Sequence, residues 1–97
     1  MILLVEDDVV LNELVTRQLK GVGYNVRSAK RWQEAEAILA QSEPDLIILD
    51  MCLPDANGAD IIPKLSEDHA VIVLTAFGSI QNAVQAIKTG AYEYLSK

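Results

Sequence analysis

Asp50 closes an unbroken apolar run, Leu46-Ile47-Ile48-Leu49. A carboxylate at the end of a strand buried on both faces does not serve packing. Glu6 and Asp7 close another apolar run, Met1 to Val5, and Thr75 closes a third, Val71 to Leu74. Lys97 follows Tyr92-Glu93-Tyr94-Leu95-Ser96. If those strand ends lie together, Glu6, Asp7 and Asp50 bring their carboxylates into one place. Two like charges about 4 Å apart repel by roughly 4 kcal/mol at an effective dielectric near 20. Either a proton is taken up or a cation binds. An all-oxygen site with few carboxylates and room for water suits Mg²⁺. A carboxylate beside Mg²⁺ can attack phosphorus to form an acyl phosphate. A lysine would then neutralise phosphoryl oxygens and a hydroxyl would orient one. Lys97 and Thr75 are those residue types. Singly each has an ordinary reading, a solvated lysine and a cap or turn threonine. Together, on successive strand ends, they are far more specific.

The elements that must position these groups follow from periodicity. Ile2 to Val5 reads as a strand. Val9 to Lys20 reads as a helix with Leu11, Leu14, Val15 and Leu19 inward, stopped by Gly21 and Gly23. Tyr24 to Ser28 alternates as a short edge strand. Lys30 to Gln41 reads as a second helix with Ala35, Ile38 and Leu39 inward. Leu46 opens the central strand, and Met51 to Gly58 is a loop of turn formers. Ala59 to Leu65 is a third helix, its first turn loosened by Pro63. Val71 to Leu74 is a buried strand. Ser79 caps a fourth helix through Thr89, with Ile80, Ala83, Val84 and Ile87 on one stripe and Gly90 as its stop. Tyr92 to Leu95 is the last strand. Strands alternating with helices make a parallel sheet covered on both faces, with ligands at the carboxyl ends of its strands.

Composition narrows the function classes. A chain of 97 residues holds one domain with a modest core. The formal net charge of −6 opposes direct contact with nucleic acid or an anionic membrane face. Arg17, Lys20, Arg27, Lys30 and Arg31 gather early, and a solvated face explains them more simply than a docking patch for an acidic partner. Cys52 is the one cysteine, so no internal disulfide forms and a reducing compartment is expected. The apolar start is too short for a signal peptide or a spanning helix. His69 is expected to be exposed in a polar loop.

These residues together resemble the receiver domain of bacterial two-component response regulators. The matching pieces are Leu3-Leu4-Val5-Glu6-Asp7-Asp8, Leu49-Asp50-Met51-Cys52-Leu53-Pro54 with Gly58, Leu74-Thr75-Ala76, and Gly90-Ala91-Tyr92-Glu93-Tyr94-Leu95-Ser96-Lys97. Thr75 through Tyr94 looks most like the NtrC-like class, which regulates transcription from alternative-sigma promoters. The resemblance implies an α/β, flavodoxin-like doubly wound parallel sheet in strand order 2-1-3-4-5. It implies that Asp50 accepts phosphate from a sensor histidine kinase, with Glu6, Asp7, Asp50 and the Cys52 carbonyl holding Mg²⁺. Thr75 and the Ala76 amide would bind the phosphoryl group, Lys97 would pair with it, and Tyr94 would be the aromatic switch. The protein would be cytoplasmic, promote its own phosphorylation and dephosphorylation, and work with output ATPase and DNA-binding domains in a longer chain.

The family's domain normally continues past the position of Lys97 with a proline and a further helix. The 97 residues are therefore expected to be a C-terminally truncated receiver lacking the last helix. Apolar surface from Tyr92, Leu95 and the first-strand side is expected to be exposed and to drive self-association. An Asp-nucleophile phosphatase would want an acid at position 52, where Cys52 stands. A flavin-binding module would want a phosphate loop where Glu6-Asp7-Asp8 stand, and these would repel a phosphate. A receiver-like docking module that is never phosphorylated is the remaining alternative.

Overall fold

Apolar runs separated by amphipathic stretches fold in chain order into β1 (Ile2–Val5), α1 (Val9–Val22), β2 (Val26–Ala29), α2 (Trp32–Gln41), β3 (Leu46–Asp50), β4 (Cys52–Leu53), β5 (Ala56–Asn57), α3 (Gly58–Leu65), β6 (Ala70–Thr75), α4 (Ile80–Lys88) and β7 (Glu93–Ser96). The structure is a computed structural model. It describes residues 1–75 and 80–96, the side chains of Ile80, Asn82, Ala83 and Ser96 excepted. The expected cap Ser79 lies outside the described residues.

Five strands form one parallel sheet in the order β2-β1-β3-β6-β7. Setting aside the two-residue pair β4 and β5, this is the expected 2-1-3-4-5. Side chains alternate across the sheet. Leu3, Val5, Ile47, Leu49, Val71 and Val73 face one side, where Ala35 of α2, Ile62 and Leu65 of α3 and Ala86 of α4 cover them. Ile2, Leu4, Val26, Ile48 and Leu74 face the other, against Val15 and Leu19 of α1. Both faces are buried, which is why β1 and β3 read as continuous apolar runs.

Several boundaries differ from the sequence reading. The first helix runs through Gly21 to Val22, and Gly23 alone stops it, at φ 109°. Gly23 donates to Lys20 and Tyr24 donates to Leu19, a Schellman close. That use of the Tyr24 amide delays β2 to Val26. Leu14 is exposed, and the inward position goes to Asn12. The second helix starts at Trp32 because Arg31 is extended and the Lys30 amide bonds to Glu34. Pro63 leaves the first turn of α3 intact, since Asn57 caps it through the Ala59 amide. In α4, Ala86 is buried while Val84 is exposed. Tyr92 and Leu95 are exposed as expected, but on the first-strand side Ile2 and Leu4 are buried beneath α1. No described helix is long and apolar enough to cross a membrane.

Candidate functional site

Strand register gathers the chemistry. Val5 pairs with Leu49, so Glu6 stands level with Asp50. Asp50 pairs with Leu74, which sets Thr75 one step beyond it, and Thr75 pairs with Ser96. All are at the carboxyl edge of the sheet, where the strand order reverses around β1 and β3.

Glu6, Asp7 and Asp50 each present a carboxylate oxygen, and these oxygens lie within 4.8 Å of one another. Glu6, Asp50 and Thr75 are buried, whereas Asp7 opens to solvent. At that separation two full charges repel by roughly 3–4 kcal/mol at an effective dielectric near 20. An oxygen-only set, buried on one side and open on the other, fits a hard cation that keeps part of its water shell. These carboxylates are three of the four donors expected for Mg²⁺.

The acidic run at 6–8 divides its labour. Glu6 turns inward, and its carboxylate accepts from the Asp8 amide at 3.1 Å. Asp8 faces away and caps α1, accepting from the Leu11 amide at 3.1 Å. Asn12, one turn into α1, donates to the Glu6 carbonyl at 2.9 Å and to the Ala29 carbonyl at 3.2 Å. It ties the ends of β1 and β2 to α1 directly beneath the site. The sequence reading missed it; its signal is a polar residue on an otherwise apolar helical stripe.

The loop after Asp50 is more ordered than a run of turn formers suggests. Cys52 donates its amide to Asp50 Oδ1 at 3.1 Å, which orients the carboxylate. Cys52 pairs with Asn57 and Leu53 with Ala56, an antiparallel hairpin whose tip is Pro54-Asp55. Gly58 closes it, donating to the Met51 carbonyl at 2.9 Å. A Cβ on Gly58 would stand 3.0 Å from Met51 Cα and 3.1 Å from its carbonyl oxygen, so only glycine fits without displacing the loop. The Cys52 side chain is exposed.

The two tyrosines near the C-terminus differ in burial. Tyr94 is half-buried against the core on the side of α3 and α4, and Tyr92 is exposed. Ala76 and Lys97 lie outside the described residues. His69 corrects the expectation of an exposed loop residue. It is half-buried where α3 ends and lines a groove of about 450 Å³ with Trp32, Leu39, Ile61 and Leu65, apart from the acidic cluster. The basic residues Arg17, Lys20, Arg27, Lys30 and Arg31 are all exposed.

A parallel five-stranded α/β fold with a three-carboxylate cluster at its strand ends defines a class, and comparison agrees. The chain belongs to the response regulator receiver domain family, matched over residues 2–97. Among relatives, the DNA-binding transcriptional regulator NtrC of Azospirillum brasilense is 35% identical over 99 residues, covering 99% of this chain and 21% of that protein. The solved receiver domain of NtrX from Brucella abortus superposes with a TM-score of 0.92 at 30% identity, covering 100% of this chain and 85% of that one. A response regulator from Burkholderia pseudomallei, solved with a phosphorylated aspartic acid, calcium ion and citrate, superposes with a TM-score of 0.87 at 34% identity, covering 99% of this chain and 58% of that one. The chain is therefore a receiver of the two-component type, similar to the NtrC-like class. It spans about a fifth to a half of the length of the first curated relatives it matches.

Proposed function

We propose that this receiver takes a phosphoryl group from a histidine of a partner kinase onto Asp50 and switches conformation to control a transcriptional output domain. The observation that carries the reading is the gathering of Glu6, Asp7 and Asp50 within 4.8 Å at the sheet edge. The phosphorylated aspartic acid and calcium ion of the Burkholderia regulator support it by likeness.

In the reaction, an Asp50 carboxylate oxygen attacks phosphorus, the P–N bond to imidazole breaks, and the freed imidazole takes up a proton. Glu6, Asp7, Asp50 and the Cys52 carbonyl would hold Mg²⁺, which when bound neutralises charge on the phosphoryl oxygens. Cys52 holds the Asp50 carboxylate through its amide. Burial of Glu6 and Asp50 excludes part of the water that would otherwise screen the site. Thr75 hydrogen-bonds a phosphoryl oxygen with help from the Ala76 amide, and Lys97 pairs with another. Thr75 moves toward the phosphate and Tyr94 reorients with it. The added charge biases a two-state equilibrium by about 1–3 kcal/mol. The α4 and β7 surface carries the output.

In the full-length cytoplasmic protein, ATPase and DNA-binding domains receive that signal, and this acidic domain does not touch nucleic acid itself. Self-association proceeds through the exposed Tyr92 and Leu95; a monomeric light-scattering mass at high concentration would count against it. Borohydride reduction of the labelled chain, followed by peptide mapping, tests the acceptor. Conversion of residue 50 to homoserine is expected, and modification elsewhere contradicts the assignment.

A further inference from the structure

The hairpin beside Asp50 is anchored from outside. Asp55, at its tip, accepts from the Trp32 amide at 2.7 Å and from the Gln33 amide at 2.9 Å. Those amides open α2 and have no partner within their own helix. Arg31, which occupies the capping position, makes no side-chain cap. The cap of α2 is thus supplied from 23 residues away by the loop that follows Asp50. A carboxylate there also meets the positive end of the helix dipole.

The hairpin needs such an anchor. Each of its strands has two residues, and a lone two-stranded ladder is marginal in water. Its root is held by the Cys52 amide on Asp50 and by the Gly58 amide on Met51. Leu53 packs into the core, and among the described hydrogen bonds the tip is held by Asp55 alone. Cys52 lies between root and tip.

We propose that Asp55 is a positioning residue for the Asp50 site. By clamping the hairpin tip to α2, it holds Cys52 so that its amide orients the Asp50 carboxylate and its carbonyl meets the bound cation. This rests on the metal-dependent phosphoacceptor reading above. A helix cap alone would be a different role, and the two are separable.

The test compares wild type, D55A and the double variant R31D/D55A, which restores a local cap to α2 but leaves the hairpin tip loose. Mg²⁺ affinity by calorimetry and melting temperature are read on each. D55A should bind Mg²⁺ about tenfold more weakly, the lower end of the range for outer-shell partners of metal ligands. R31D/D55A should recover melting temperature but not affinity. Unchanged affinity in D55A, or recovery of both quantities in the double variant, overturns the proposal. Wild type that binds no Mg²⁺ overturns the phosphoacceptor reading, and this inference with it.

Discussion

Asn12 donates its side-chain amide to the backbone carbonyl of Glu6, 2.9 Å away and fully inside the protein. The bond fixes the end of β1 at the point where the chain turns Glu6 inward and Asp7 outward. Asn12→Leu keeps the branching at Cγ and removes the donor from the buried Glu6 and Ala29 carbonyls. The expected cost is about 1–3 kcal/mol of stability, typical of a buried polar group deprived of its partner. Urea denaturation followed by circular dichroism measures it. A loss under half a kilocalorie would mean that the strap is incidental.

Gly58→Ala places a Cβ against the backbone of Met51 at 3.0 Å. Backbone cannot yield as a flexible side chain can, so the hairpin or α3 must shift. Destabilisation of about 1–3 kcal/mol is expected, the usual cost of overpacking. Mg²⁺ affinity should fall alongside the melting temperature.

Asp55 should make stability pH-dependent. Loss of some water pushes its carboxyl up, but the amides of Trp32 and Gln33, its own amide and the Arg31 guanidinium outweigh this and hold it below the usual value of 3.8. A carboxyl depressed on folding contributes stability that is present above its unfolded value and lost as pH falls through its folded value. The melting temperature of wild type should therefore exceed that of Asp55→Asn near neutrality, and the gap should close below about pH 4. A gap that persists unchanged in acid would mean that the charge plays no part.

Much of this was readable from residue pattern. The buried strands announced themselves as apolar runs, and their acidic or hydroxylic ends announced the edge where the candidate site lies. The parallel alternation then placed Glu6, Asp7, Asp50 and Thr75 together, where the structure has them. What pattern could not show were contacts set by tertiary geometry. Asp55 reads as a turn residue until α2 is seen to lie over it. Asn12 reads as an interruption of the α1 stripe, whereas Leu14, which fits the stripe, is exposed. The Tyr24 amide was claimed for a strand by local alternation but is used to close α1.

Thr75→Ala separates chemistry from relay. Thr75 is buried at the end of β6, one residue beyond the partner of Asp50. Losing the hydroxyl should leave Asp50 open to phosphorylation but uncouple it from Tyr94 and the α4 surface. Labelling with a small phosphodonor should persist while the phosphate-dependent change in tyrosine fluorescence is lost. Complete loss of labelling would place Thr75 in the chemistry instead.

The central claim is that Asp50 is a metal-dependent phosphoacceptor. Intact mass spectrometry after incubation with Mg²⁺ and a small phosphodonor, on wild type and Asp50→Ala, tests it most directly. One phosphate adduct is expected on wild type, absent from Asp50→Ala and absent when Mg²⁺ is chelated. A folded wild-type chain that gains no phosphate, or an adduct that survives in Asp50→Ala, would contradict the account and favour a docking module that is never phosphorylated.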